Sequence, residues 1–206
     1  SDPLVRQDLQ ILLTSIDQTI EGTELNDKLL LDWTDVPQMI FGNMNEALDP
    51  QIGPARHAKA LELLQRYTGL YAGTTPLVEL AKARWADSLS GGKVGPYKGK
   101  VEDTLGKTET YIAGIHALFA KAGVKGADKA LETMDRQLRD YAGWEKANVL
   151  PRTRESFRQP PAIYAFRLKR VGIDLPPEQL VARARRGFYE TRQQMEELAP
   201  PIAKKF

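Results

Sequence analysis

The chain has 206 residues, which fits one large domain or two small ones and is long enough to bury a substantial apolar core. Hydrophobic residues make up 42% and charged residues 27% of the sequence, a composition typical of a globular protein rather than one built of lipid-facing segments. The absence of cysteine excludes disulfides, thiolate metal ligands and cysteine nucleophiles. With no apolar run of about 18 residues, we expect no transmembrane segment.

The net charge of +2 is distributed unevenly along the chain. Residues 151–192 contain ten basic and four acidic residues, so this arginine-rich region carries +6. Its charge suits either an anion-binding face, for nucleic acid or an acidic ligand, or salt bridges to acidic helices or to a part of the protein outside this sequence. Because no recognisable nucleic-acid module accompanies the charge, we do not expect a nucleic-acid partner.

Apolar residues repeat with helical spacing along the first 90 residues. One stripe is predicted to face the core from a first helix that begins at Pro3 and ends at Gly22. Further helices are predicted to begin at residues 34–37, near Pro54 and at residues 75–76, where a proline occupies the first turn. The residues of the first stripe are Leu9, Leu12, Leu13, Ile16 and Ile20.

Residues 91–106 contain six glycines or prolines and are predicted to form a loop that holds at most one helical turn. This glycine density suggests a phosphate cradle, but the spacing fits neither the Walker pattern nor the dinucleotide fingerprint. Helical spacing resumes over residues 111–122, where Gly123 ends the helix, and continues over residues 131–144. We interpret both stripes as core packing.

Prolines divide the segment from Leu150 to Pro177. Pro151 is expected to end the preceding helix, and Pro161 to begin a short helix that ends at Gly172. A long last helix is predicted to run from residues 176–177 to Pro200–Pro201, with arginines in its first half, against the helix dipole. Either these arginines have acidic partners in a part of the protein outside this sequence, or their small unfavourable interaction with the helix dipole is not compensated.

The pattern as a whole predicts an all-α fold of seven or eight helices in antiparallel hairpins. We expect a single domain over residues 1–206, or a subdivision into a bundle of residues 1–149 and a proline-punctuated segment of residues 150–206.

No complete catalytic constellation is recognisable. His57 and His116 lie on different predicted helices and outside any His-Glu-x-x-His arrangement, so we expect solvated or hydrogen-bonded histidines and no metal site. Adjacent carboxylates such as Glu102 and Asp103 point in directions about 100° apart on a helix and would not share a substrate. None of the serines lies in a nucleophile-elbow sequence.

Several segments agree in order and spacing with a known family. They are residues 95–102, residues 111–115, Leu150-Pro151-Arg152, Phe157-Arg158, Pro160-Pro161 and Gly172-Ile173-Asp174. Through them the chain resembles, over essentially all 206 residues, the N-terminal part of the bacterial domain-of-unknown-function family 885. The resemblance implies a longer protein, often exported or lipoprotein-like and similar to helical zinc metallopeptidases.

In such proteins a His-Glu pair, followed shortly by a His-His pair, lies in the C-terminal half. That motif is absent from this sequence, so no metal ligand can be carried over. The resemblance implies an N-terminal, non-catalytic fragment without a cofactor of its own, with zinc in the parent protein and a periplasmic or exported, lipid-anchored location. Its partners would be the missing C-terminal part of its own chain and a peptide substrate, with the oligomeric state left open.

The glycine loop at 95–99 and the connection at 152–161 are the candidate contact segments. They would line a substrate cleft or contact the missing half, whereas the structural alternative is a rigid turn and an interdomain anchor. The candidate contact residues are Tyr97, Lys98, Arg152, Arg154, Arg158 and Tyr164. A different hypothesis is a stand-alone helical module that binds a protein or peptide through the arginine-rich region.

Overall fold

The computed structural model describes residues 2–51, 53 and 57–203. Within these residues the chain forms eight α-helices and no β-strand, which confirms the all-α prediction. None of the described helices is long and apolar enough to cross a membrane.

The helices follow one another through short connections, and the sixth is followed by a 3-10 turn, Leu150–Arg152. Their bounds are α1 Pro3–Leu29, α2 Val36–Ala47, α3 His57–Thr68, α4 Leu77–Ser88, α5 Lys98–Ala122, α6 Asp128–Asn148, α7 Pro161–Arg170 and α8 Pro177–Ala203.

The chain divides into two compact units. The larger unit, residues 26–158, holds the end of α1, helices α2 to α6 and the 3-10 turn. The smaller unit combines the chain up to Leu25 with the residues from Gln159 onwards. The expectation of a single domain, or of a subdivision at residue 150, stays a prediction, since compactness alone does not show which segments fold independently.

The core of the larger unit is formed by apolar stripes of α2 to α6. Helix α2 packs on α5, α3 packs on α6, and α5 packs on α6. The stripes predicted for α5 and α6 are confirmed as core, because their residues face these neighbours. The core residues of these two helices are Ile112, Ile115, Phe119, Ala130, Leu131, Met134, Leu138 and Tyr141.

The local signals for helix ends are confirmed at two places. At the start of α2, Asp35 Oδ1 accepts a hydrogen bond from the backbone N–H of Gln38, and Pro37 lies in the first turn. At the end of α5, Gly123 adopts the left-handed conformation at φ 64°. The predicted start at Pro54 lies outside the described residues.

The predictions for α1 are wrong in two respects. The helix continues past Gly22 to Leu29, because Gly22 is a packing position: a Cβ there would lie 2.7 Å from Cε1 of Phe166 on α7. The stripe from Leu9 to Ile20 was expected to face the core, but all of its residues are exposed, and Gly22 is the only buried residue described in α1. Periodicity identified the apolar face but could not show whether this chain covers it.

Two other helix bounds differ from the predictions. Helix α5 begins at Lys98, so only the first half of residues 91–106 is a loop. The helix tolerates Gly99 and Gly106, at a cost of about 1 kcal/mol each, because it buries Val101 and Thr104 on the core. Helix α8 continues through Pro200 and Pro201 to Ala203 instead of stopping at the prolines.

Candidate functional site

Two candidate segments meet in the larger unit. Residues 95–98 and residues 152–158 lie side by side through a parallel β-bridge between Tyr97 and Arg154. The Arg154 N–H donates to the Pro96 carbonyl at 2.9 Å, and the Lys98 N–H donates to the Arg154 carbonyl at 2.9 Å. We call these two segments together the clasp.

The clasp depends on close backbone approach at Gly95. A Cβ at Gly95 would collide with the carbonyl group of Arg152, so only glycine fits this position. The adjacent Val94 is fixed on its other side, because its N–H donates to Leu29 and its carbonyl accepts from Leu31. The glycine loop therefore ties residues 29–31 and 152–154 together.

The side chains of the clasp mostly bind one another. The Arg154 guanidinium donates from Nη1 to the Gly95 carbonyl and from Nε to the Arg158 carbonyl. Lys98 Nζ lies 2.9 Å from Glu155 Oε1, and this ion pair raises the pKa of Lys98. The polar groups of Arg154 and Lys98 are thus engaged inside the clasp, and their role as contact residues stays a prediction.

The clasp also carries an exposed aromatic pair. The Tyr97 ring meets the Phe157 ring edge to face, with centroids 6.5 Å apart, and 74% of Phe157 is exposed. An exposed aromatic pair on a rigid turn can contact a partner at little cost in side-chain entropy.

The remaining candidate residues have separate positions. Arg152 lines an open cleft of about 650 Å³ between α4 and the end of α6, where Lys82, Trp85 and Trp144 are among the other lining residues. Arg158, the last residue of the clasp, has an exposed side chain. Tyr164 lies on α7, in the smaller unit, with its side chain 45% exposed. The geometry tests none of these residues as ligand contacts, so their roles stay predictions.

Sequence reasoning missed a buried polar cluster in the larger unit. Glu145 on α6 is 0% exposed, and its Oε1 accepts a hydrogen bond of 2.7 Å from Trp33 Nε1. Oε2 is buried and has no hydrogen-bond partner among the described residues. The pKa of Glu145 is raised to about 7, chiefly by burial and in smaller part by the negative charge of Asp35, against the lowering effect of the Trp33 hydrogen bond.

Asp35 joins this cluster from the connection between α1 and α2. Its Oδ2 accepts a hydrogen bond from Thr104 at 2.7 Å and lies 3.0 Å from Lys100 Nζ. Tyr141 donates its hydroxyl to the Thr34 carbonyl at 2.9 Å, and burial raises the pKa of Tyr141 well above its ordinary value. The 30–35 connection is thus held on α5 and α6 by polar bonds.

The sequence did contain a signal for Glu145. The apolar stripe of α6 advances in steps of three and four residues to Tyr141, and the next step of four is Glu145. A carboxylate at a core position of a helical stripe predicts a buried charge or a neutral acid. Trp33 could not be found as its donor, because 112 residues separate the two in sequence.

The two histidines do not form a common site. His116 Nε2 lies 2.9 Å from Asp135 Oδ1, as expected for a hydrogen-bonded histidine. His57, at the start of α3, has a buried Nε2 without a partner in the described part of the chain. No group of three or more His, Asp or Glu side chains able to hold a metal ion occurs among the described residues.

Comparison with known proteins gives one family match, to the family described as bacterial protein of unknown function (DUF885), and the match covers residues 1–206. The chain belongs to this family. Its membership confirms the resemblance carried by the glycine loop and the proline-punctuated segment, and it assigns no activity. The comparisons find no matching curated relative and no matching solved structure.

Proposed function

We propose that this chain is the non-catalytic N-terminal helical region of a bacterial metal-dependent, peptidase-like hydrolase. Its role is to dock onto the C-terminal catalytic part of the same protein. The resemblance described above implies such a part, with zinc bound there by its own histidines and glutamates.

Support comes from one observation, the uncovered apolar faces of α1 and α8. Both helices are 27 residues long, and Gly22 is the only buried residue described in either of them. Apolar residues of α8 follow the three-four spacing of a packing seam, yet all are exposed. These are Val181, Ala184, Phe188, Met195, Leu198 and Ile202.

Amphipathic helices derive most of their stability from packing an apolar face, so two such helices favour a partner surface. In the larger unit, the exposed Tyr97–Phe157 pair offers a contact point of its own.

The test compares one substitution in two chains, residues 1–206 and the complete product of the gene. In residues 1–206, Phe188 is 62% exposed, so Phe188→Ser should change the free energy of unfolding by less than about 0.5 kcal/mol. In the complete product, where we expect this face to be buried, the loss should be about 3 kcal/mol.

The matched control is Gln193→Ser, on the opposite face of α8, which should have a small effect in both chains. Equal small effects of Phe188→Ser in both chains would argue against docking through α8. A gene product that ends at Phe206 would also count against the proposal.

A second candidate is a stand-alone module that binds an acidic peptide through the arginine-rich region. It is favoured by Arg183, Arg185 and Arg186, which are exposed and have no acidic partner within 4.0 Å among the described residues. Titration with a poly-glutamate peptide distinguishes the two. Salt-sensitive binding of the peptide that is lost when these three arginines are replaced by glutamate supports this candidate. Absence of peptide binding argues against it and favours the docking function.

A further inference from the structure

Glu145 lies where an ionised carboxylate is costly. Its hydrogen-bond donor Trp33 packs, with Trp144, against a buried apolar cluster of Trp85, Val101 and Val149. An ionised carboxylate that is buried with one oxygen unbonded loses its hydration energy without a compensating interaction. The neutral acid has a much smaller hydration energy to lose, so burial favours it. The Trp33 hydrogen bond satisfies only one of the two oxygens.

The charged groups that face this cluster are otherwise balanced. On the 30–35 connection, Asp32 pairs with Arg84 of α4 at 2.9 Å, and Asp35 pairs with Lys100 of α5 at 3.0 Å. On α6 itself, Tyr141 stays neutral because burial raises its pKa. Neither cation pairs with Glu145 within 4.0 Å. Burial and the charge of Asp35 raise the pKa of Glu145, and only the Trp33 hydrogen bond lowers it.

We propose that Glu145 is a proton-dependent latch: as the neutral acid it keeps the 30–35 connection closed over the cluster, and its ionisation opens the cluster to water. Opening brings water to Oε2, which requires Trp33, the half-buried cover of the cluster, to move. The connection between α1 and α2 therefore responds to pH near neutrality, independently of the docking function proposed above.

Folding is linked to the protonation of Glu145, and this linkage sets the direction in which stability changes with pH. The pKa of Glu145 is about 7 in the folded chain and near its ordinary 4.5 in the unfolded chain, so folding favours the bound proton. The contribution is fully present below about pH 4.5 and is lost as the pH rises through 7. Between pH 5 and pH 8 the folding equilibrium constant should fall on the order of fiftyfold through this group alone.

The test measures urea unfolding at pH 5 and pH 8 for the wild-type chain, Glu145→Gln and the control Glu109→Gln. Glutamine keeps an acceptor for Trp33 and cannot ionise. In Glu145→Gln the folding equilibrium constant should therefore fall only a few-fold between pH 5 and pH 8. Glu109 is exposed and its pKa is lowered by Arg139, so its replacement should leave the wild-type fall unchanged. His57 and His116 are present in all three chains and cancel in the comparison.

A local readout is the indole N–H signal of Trp33 in a ¹H–¹⁵N spectrum, assigned by its loss in Trp33→Phe. The chain has three tryptophans, so the signal is readily resolved. In the wild-type chain this signal should shift with pH, with a midpoint near pH 7. That result supports the latch even if the Glu145→Gln chain does not fold. A signal that is constant from pH 5 to pH 8, or an undiminished fall in Glu145→Gln, would overturn the latch.

Discussion

Single residues in this chain act chiefly through close contacts that their side chains permit or prevent. Gly95 allows the backbone of the clasp to approach residue 152, and Glu145 places a fully buried acid beside Trp33. The clasp residues Arg154 and Lys98 bind carbonyl and carboxylate groups within the same turn. Residue chemistry here builds a rigid scaffold.

Replacing Gly95 by alanine should open the clasp. The added Cβ collides with a backbone carbonyl that cannot rotate away, so we expect Gly95→Ala to lower the free energy of unfolding by about 1–3 kcal/mol. Gly106→Ala is the matched control, since Gly106 lies inside α5 with no atom near its Cβ, and it should stabilise by about 0.5–1 kcal/mol. Urea unfolding measures both, and a stabilising Gly95→Ala would contradict this description of the clasp.

Some features of the helices could be predicted from the sequence and others could not. The starts at Asp35 and Pro161 and the end at Gly123 were predictable because their signals are local. The exposure of the α1 stripe was not, because periodicity identifies an apolar face without identifying what covers it. The candidate residues of the clasp were chosen by resemblance, but their pairing depends on contacts across nearly 60 residues, which the sequence pattern does not encode.

Helix α7 is held on α1 through a glycine, which gives a prediction at this scale. A Cβ at Gly22 would lie 2.7 Å from the Phe166 ring. In Gly22→Ala this clash should cancel the higher helix propensity of alanine, so its free energy of unfolding should be about 1 kcal/mol lower than that of Gly187→Ala. Gly187, inside α8, has open space around its Cβ and serves as the control. Thermal unfolding followed by circular dichroism compares them, and equal midpoints would contradict tight packing of Phe166 on α1.

At the scale of the whole molecule, the two units differ in how much they bury. The larger unit has a continuous apolar core, whereas few residues of the smaller unit are buried among those described: Gly22, Ile163 and Phe166. A unit with so little buried surface gains stability from a partner, which is why we place the docking function there.

We expect residues 1–206 to have no zinc-dependent peptidase activity, because the His-Glu and His-His pairs that the family resemblance implies do not occur in this sequence. The assay is cleavage of a quenched fluorescent peptide library with added zinc, with and without a chelator. Chelator-sensitive turnover by this chain would place catalysis here and contradict a purely docking role.

The central claim is that α1 and α8 dock onto another part of the protein, and amide hydrogen exchange of α8 tests it most directly. In residues 1–206, the amides of α8 should exchange far faster than those of α5 and α6, because α8 has no buried residue among those described. In the complete gene product, docking should slow exchange along α8 at least about a hundredfold while leaving α5 and α6 little changed. Equal exchange of α8 in the two chains would contradict the claim.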